Sequence, residues 1–184
     1  FVDAVIRKED RRFYNHSGVD IPAVFRAAKD WAQSGEVVSG ASTITMQLVR
    51  QYKPRPRTLK SKVIESLEAL RFELHFSKDE ILSQYLTRIS YGGNIEGIEA
   101  ASRIYLGKSP QHLSPDEIAL LVSLPQAPEA RRPDRQAAHA KRGRNRILSK
   151  LEQGGSMSAE LVAEAKKAPI PLMRHSLPSK AWLS

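Results

Sequence analysis

Leu59-Lys60-Ser61-Lys62-Val63-Ile64-Glu65-Ser66-Leu67-Glu68-Ala69-Leu70-Arg71-Phe72-Glu73-Leu74 carries the clearest periodicity in the chain. Leu59, Val63, Leu67, Leu70 and Leu74 recur at steps of four, four, three and four. That spacing predicts an amphipathic helix of about 17 residues with one apolar face. At about 100° per residue, Glu65 falls roughly 180° from the mean of the stripe, with Lys62 about 60° from it on the same side. With the leucines turned inward, Glu65 points away from the buried face, and the plain reading is a surface ion pair with Lys62. The other reading is a carboxylate facing a cleft.

Working outward, Ser77 and Glu80 form a capping box ahead of Ile81, Leu82, Tyr85, Leu86 and Ile89, with Gly92-Gly93 as the expected stop. Ser114-Pro115-Asp116-Glu117 repeats the signature before an apolar helix that ends at Pro125. Further helices are expected over about 136–153 and 159–168, separated by Gly154-Gly155. On the N-terminal side, Pro54 and Pro56 end a helix from Thr43 to Tyr52 that Ser42 is placed to cap. Asp20 is placed to cap another, with Pro22 in its first turn, running to about Ser34 before Gly35. No segment alternates with period two and no internal repeat appears, so the expected class is mainly α. From Pro169 the sequence has three prolines and no periodicity, and 169–184 reads as a linker after a domain covering 1–168.

The composition agrees with a folded domain. Of 184 residues, 41% are hydrophobic and 27% charged, which suits one or two globular domains and not a disordered tail. Cysteine is absent, excluding a disulfide scaffold, a thiolate metal site and a cysteine nucleophile. The net charge of +9 points to anionic partners: nucleic acid, a phosphorylated substrate or acidic lipid. Its distribution is uneven, with 17 basic against 16 acidic residues in 1–130 and 12 against 4 in 131–184. The span 50–62 holds six basic residues and no acid. No apolar run approaches the roughly 18–20 residues that span a bilayer. The longest, 37–49, has 13 residues and is interrupted by Ser, Gly and Thr. With no signal peptide visible, the chain reads as an excised domain whose anchor lies elsewhere.

Three segments carry candidate chemistry. Glu9 opens Glu9-Asp10-Arg11-Arg12-Phe13-Tyr14-Asn15-His16-Ser17-Gly18, a helix end running into a structured loop. Beside Phe13 and Tyr14 its carboxylate would be partly desolvated and a better proton acceptor; the alternative is a solvated run with Glu9 paired to Arg11 or Arg12. Glu65 is the second carboxylate. Gly40-Ala41-Ser42-Thr43-Ile44-Thr45-Met46-Gln47 places small and hydroxyl residues at a helix start, which suits phosphate, although Ser42 as an ordinary cap explains it too. Arg50, Lys53, Arg55, Arg57, Lys60 and Lys62 follow as a cationic wall, which a nucleic-acid surface would account for equally well.

Together, Glu9-Asp10 with Phe13, His16 and Gly18, then the run from Gly40 to Gln47, then Arg57, Lys62 and Glu65, resemble the peptidoglycan glycosyltransferase domain of glycosyltransferase family 51. So do Lys78-Asp79-Glu80-Ile81-Leu82 with Tyr85-Leu86, and Gly97-Ile98 through Tyr105-Leu106-Gly107-Lys108. The match covers about 2–150, and Leu124-Pro125-Gln126-Ala127-Pro128 with Arg132-Pro133-Asp134-Arg135 is similar to the 1C branch of class A penicillin-binding proteins.

The resemblance implies a mainly α, lysozyme-like fold with a larger head lobe and a small membrane-facing jaw lobe. It implies polymerisation of lipid II into β-1,4-linked glycan, with inversion and release of undecaprenyl pyrophosphate. Glu9 then corresponds to the general base and Glu65 to the second glutamate at the donor side. His16, Ser42, Thr43, Gln47, Arg50, Arg57 and Lys62 correspond to substrate-binding positions, with His16 and Asp10 also holding the Glu9 loop in shape. No cofactor is required; a divalent cation, Mg or Mn, is an optional companion of the substrate pyrophosphate, and no protein metal site is expected. The implied partners are lipid II, the growing glycan strand, the membrane surface, a moenomycin-type inhibitor and a downstream transpeptidase domain absent from this chain, which has no Ser-x-x-Lys. Nucleic acid is not among them. The implied location is the extracytoplasmic, periplasmic face of the bacterial inner membrane. Four positions depart from the family pattern: Ser61 and Ile64 replace common basic residues, Thr87 an Asn and Ser83 a Glu. Loss of two cations weakens the expected pyrophosphate clamp, and the alternative is a weakly active or inactive domain that binds lipid II or the cell wall.

Overall fold

Capping side chains set most helix starts where the sequence places them. The Asp20 carboxylate accepts the Ala23 N–H at 3.2 Å. Glu80 accepts the Ser77 N–H at 2.8 Å while Ser77 Oγ accepts the Glu80 N–H at 3.3 Å, and Glu117 accepts the Ser114 N–H at 2.8 Å. In the computed structural model, which describes residues 1–34 and 41–176 apart from the side chains of Trp31 and Ser34, the helices are α1 (Val2–Glu9), α2 (Ile21–Ser34), α3 (Ile44–Tyr52), α4 (Leu59–Glu73), α5 (Lys78–Arg88), α6 (Ile98–Leu106), α7 (Pro115–Ser123), α8 (Ala137–Gln153) and α9 (Ala159–Lys167). Among the described residues the only β pairing outside them is an isolated bridge between Ser90 and Glu96. The mainly α class is borne out. Among the described residues no helix is long and apolar enough to cross a membrane. The stop expected at Gly35, Gly40 of the hydroxyl-rich motif, the start of the apolar run 37–49 and positions 177–184 of the expected linker lie outside the described residues.

Helix α7 ends at Ser123, two residues before the expected Pro125, in a 3-10 turn over Leu124–Gln126, and two other boundaries differ for reasons visible in the structure. Thr43, not Ser42, caps α3: its Oγ1 accepts the Met46 N–H at 3.1 Å, so the helix starts one residue later. Helix α5 ends at Arg88, before Gly92-Gly93. Gly92 (φ 86) instead turns the chain beside the Ser90–Glu96 bridge, where a Cβ would come 2.6 Å from the Pro128 carbonyl oxygen.

The chain divides into two compact units, Val5–Arg88 and Phe1–Ala4 with Ile89–Ser184. In the first, α3 packs against α4 and α5 around Met46, Val49 and Ala69, with Val19 and Phe72 at the edge. In the second, α7 is buried along Ala119–Ser123 and lies against α8, which buries Ala140, Gly143, Ile147, Leu148 and Leu151. Gly143 permits that approach, since a Cβ there would meet Ser123 Oγ at 2.9 Å. Helix α9 closes the layer with Val162 and Ala165. The described part of the stretch expected as a linker is bound to this unit: the His175 N–H donates to the Ile104 carbonyl at 2.7 Å and Arg174 pairs with Asp134 at 2.9 Å.

Helix α4 inverts the expectation drawn from its periodicity. Its leucine stripe is exposed, from 42% at Leu70 to 85% at Leu59, and the buried face is Ser61, Glu65 and Ala69. At Ala69 the Gly18 backbone comes close, and α3 supplies an arginine to Glu65. Periodicity locates a stripe without saying which side of the helix meets protein.

Candidate active site

The loop after α1 is tied to α3 and α4 by a chain of buried polar contacts. His16 Nδ1 accepts the Gly18 N–H at 3.1 Å, which places the ring proton on Nε2, directed to both oxygens of Asp10 at 2.9 and 3.0 Å. Asp10 Oδ2 also accepts the Ile44 N–H at 3.0 Å, so a carboxylate sits at the positive end of α3. Thr43 Oγ1 donates to the Gly18 carbonyl at 2.6 Å. Gly18 has φ 92, and a Cβ there would fall 2.7 Å from the Ala69 carbonyl. Only glycine lets this loop rest on α4. With Ile44 and Met46 amides engaged by Asp10 and Thr43, the start of α3 is not the open phosphate cradle its sequence suggests. The polar atoms of His16 and Thr43 are likewise engaged within the chain, while Ser42, half-buried, lines the cavity beside Glu9.

Glu9, the last residue of α1, is held by neither of the arrangements expected from its neighbours. Lys8 Nζ approaches Oε1 at 2.5 Å, and Gln47 Nε2 donates to Oε2 at 3.2 Å. Phe13 packs instead into the interior against Tyr14 and His16, and the Tyr14 hydroxyl donates to Asp79 at 3.2 Å. The Gln47 carbonyl oxygen accepts the Tyr85 hydroxyl at 3.2 Å. Glu65, 2% exposed, is not paired with Lys62. Arg50 forks onto it, Nε to Oε1 at 2.7 Å and Nη2 to Oε2 at 2.5 Å, and these bonds favour the charged guanidinium. Gln47 and Arg50 are three residues apart on α3, roughly 4.5 Å along its axis. One helix face therefore serves both glutamates.

The cationic wall is half neutralised by α4 itself. Arg55 binds Glu68 through both terminal nitrogens at 2.7 and 2.8 Å, and Lys53 approaches the same carboxylate at 3.4 Å. The Arg55 hydrogen bonds hold the Glu68 carboxyl below its ordinary range. With Arg50 on Glu65, that leaves Arg57, Lys60 and Lys62 without an ion pair among the described residues, the first two exposed. A second cationic surface was missed in the sequence. A cavity of about 600 Å³ is lined by five cations, Arg7, Lys8, Arg11, Arg12 and Arg26, against three carboxylates, Glu9, Asp10 and Asp20, together with Ser42. Interleaved acids hide the 7–12 cluster from a charge count, and Arg26 joins it only through the placement of α2. Among the described residues no three His, Asp or Glu side chains converge on a metal position. Both Glu65 oxygens face Arg50. The residues present do not fit a divalent cation held by Glu65.

Comparison with known proteins then decides the family. The sequence profile of the transglycosylase family matches residues 1–152. The chain belongs to this family. Penicillin-binding protein 1C of Escherichia coli K12 is 45% identical over 183 residues, all of this chain and 24% of that protein. Penicillin-binding protein 1A of Aquifex aeolicus is 37% identical over 176 residues, 95% of this chain and 24% of that protein. A crystal structure of penicillin-binding protein 1A from Haemophilus influenzae is 23% identical, covering 74% of this chain and 18% of that one with a TM-score of 0.46. This transglycosylase domain thus spans about a quarter of the length of the curated relatives it matches. It is a peptidoglycan glycosyltransferase domain, and both glutamates with all their partners lie inside the matched residues.

Proposed function

We propose that this domain polymerises lipid II, with Glu9 as the base. Glu9 takes the proton from the 4-hydroxyl of the acceptor sugar as that oxygen attacks the anomeric carbon of the donor. The bond to the pyrophosphate breaks on the opposite face, so the α-linked donor becomes a β-1,4 linkage and undecaprenyl pyrophosphate departs. Charge builds on that leaving group, and Arg57 and Lys62 are the cations free to meet it. Glu65 acts through Arg50: the fork fixes the guanidinium and leaves Nη1 for a leaving-group oxygen. The cavity beside Glu9 supplies a further cationic surface for the lipid-linked acceptor. The observation that carries this reading is the shared face of α3, where Gln47 holds Glu9 and Arg50 holds Glu65.

The exposed leucines support a membrane-surface location. Helix α2 adds Ile21, Val24 and Phe25, each at least 40% exposed, and Ile21 and Leu70 border one cavity together with Arg12, Asn15 and Ser66. A soluble surface rarely carries so extended an apolar patch. A bilayer would cover it and also present the lipid-linked substrate, which suits a domain working at the extracytoplasmic face. The test is incubation with labelled lipid II. Glu9→Gln should lower polymerisation by roughly 10²- to 10⁴-fold with the melting temperature unchanged; polymerisation at the wild-type rate would overturn the assignment.

A further inference from the structure

Tyr85 lies on α5 and is completely buried, a position where phenylalanine would pack as well without a polar group to satisfy. Its hydroxyl donates to Gln47 Oε1 at 3.2 Å, and Gln47 Nε2 donates to Glu9 Oε2 at 3.2 Å. A carboxylate base can only accept hydrogen bonds. The Gln47 amide must therefore turn its NH₂ to Glu9, which leaves its oxygen facing α5, and only a donor can meet it there. The other tether on Glu9, Lys8, meets only Oε1, and an ammonium offers rotatable donors with no plane of its own. Direction comes from Gln47, whose planar amide is steered by a hydroxyl on a second packed helix.

We propose that Tyr85 is a positioning residue for glycosyl transfer: it fixes the amide of Gln47 and, through it, the lone pair that Glu9 presents to the acceptor hydroxyl. This rests on Glu9 being the base. Without the Tyr85 hydroxyl the Gln47 oxygen loses a donor, the amide plane loses that anchor on α5, and the N–H it gives Glu9 can swing off the line that orients the carboxylate. Misplacement by a fraction of an ångström is costly at that step.

The experiment measures polymerisation of labelled lipid II by the purified chain and by Tyr85→Phe, Gln47→Ala, the double variant, Gln47→Glu and Glu9→Gln. Tyr85→Phe should lose about five- to twentyfold in kcat with KM within about twofold, the split expected when an interaction matters in the transition state. The double variant should be no slower than Gln47→Ala, because both substitutions break one relay. Gln47→Glu keeps an acceptor for Tyr85 but offers Glu9 no donor, so it should be as slow as Gln47→Ala. Wild-type kcat in Tyr85→Phe or in Gln47→Glu overturns the proposal, as does full multiplication of the Tyr85→Phe and Gln47→Ala losses. If Tyr85→Phe fails to fold, Gln47→Glu decides alone. An inactive Glu9→Gln beside an unaffected Tyr85→Phe removes the relay only; an active Glu9→Gln removes the base and the relay with it.

Discussion

Helices α4 and α8 are of similar length, 15 and 17 residues, yet they apportion apolar and charged side chains in opposite ways. Helix α8 follows the ordinary rule, burying Ile147, Leu148 and Leu151 while Arg142, Arg146 and Lys150 stay in solvent. Helix α4 exposes its leucines and buries a glutamate. Each also carries one buried charge, and the partners differ. Glu65 is met by another charge, on a side chain still 32% exposed. Arg144, 0% exposed, is met by neutral groups: the carbonyls of Ala168 at 2.6 Å and Lys166 at 2.8 Å, and Asn145 Oδ1 at 3.0 Å. Burial pushes the Arg144 guanidinium below its ordinary range, with Asp116 opposing. A buried charge on backbone carbonyls is a staple for the end of α9. A buried charge on a half-exposed arginine leaves that arginine within reach of a ligand.

Substituting each charge separates those two roles. Glu65→Gln keeps the shape but frees Arg50 from its ionic partner, so polymerisation should fall by roughly 10²- to 10³-fold with the melting temperature within about 4 °C of wild type. A loss of folding without a matching loss of rate per folded molecule would make Glu65 structural and collapse the contrast. Arg144→Met should do the reverse. Two carbonyls lose charged donors, costing about 2–4 kcal/mol in denaturant unfolding, while the rate per folded molecule stays within about twofold.

Much of the fold was legible in the sequence, and the failures, the buried side of α4 among them, have physical causes. Helix spans and caps at Asp20, Ser77 and Ser114 follow from local chemistry that the structure keeps. At α3 two adjacent hydroxyls compete, and Thr43 prevails because it also reaches the Gly18 carbonyl, a contact across 25 positions that no local rule anticipates. The side of α4 that faces protein depends on Arg50 arriving from α3. The Glu9 cavity needs Arg26 from α2. Glu9, Glu65, Gln47 and Arg50 were legible as residues through their motifs, but the pairing of Glu65 with Arg50 rather than Lys62, and of Glu9 with Gln47, required the fold.

The exposed stripe gives a smaller, separate effect. Leu67 is 57% exposed, so Leu67→Glu should change unfolding free energy by no more than about 0.5 kcal/mol. On phospholipid vesicles the same substitution removes a side chain worth about 1.5–3 kcal/mol when buried. Flotation should show binding weakened by at least about tenfold. Equal binding by wild type and Leu67→Glu would leave the inversion of α4 without a membrane to explain it.

The smallest effect compares two carboxylates held low by different means. For Glu117 in the second unit, burial raises the carboxyl, but the Ser114 amide and Lys108 outweigh it and hold it below its ordinary 4.5. For Glu68 in the first unit the Arg55 hydrogen bonds dominate. Because both folded-state values lie below the unfolded ones, each contribution is fully present above about pH 4.5 and is lost as pH falls through the folded value. The melting temperature should therefore drop as pH falls below about 4.5, and either Glu→Gln variant should flatten that drop by about 1–2 °C. Salt distinguishes them. At about 1 M salt the screening length shrinks to roughly 3 Å, so the Glu68 increment, made by two surface cations, should largely vanish. The Glu117 increment should persist, because its donor is a backbone amide at the start of α7 and its side chain is 17% exposed. Equal salt sensitivity would mean that Lys108, not the cap, holds Glu117 low.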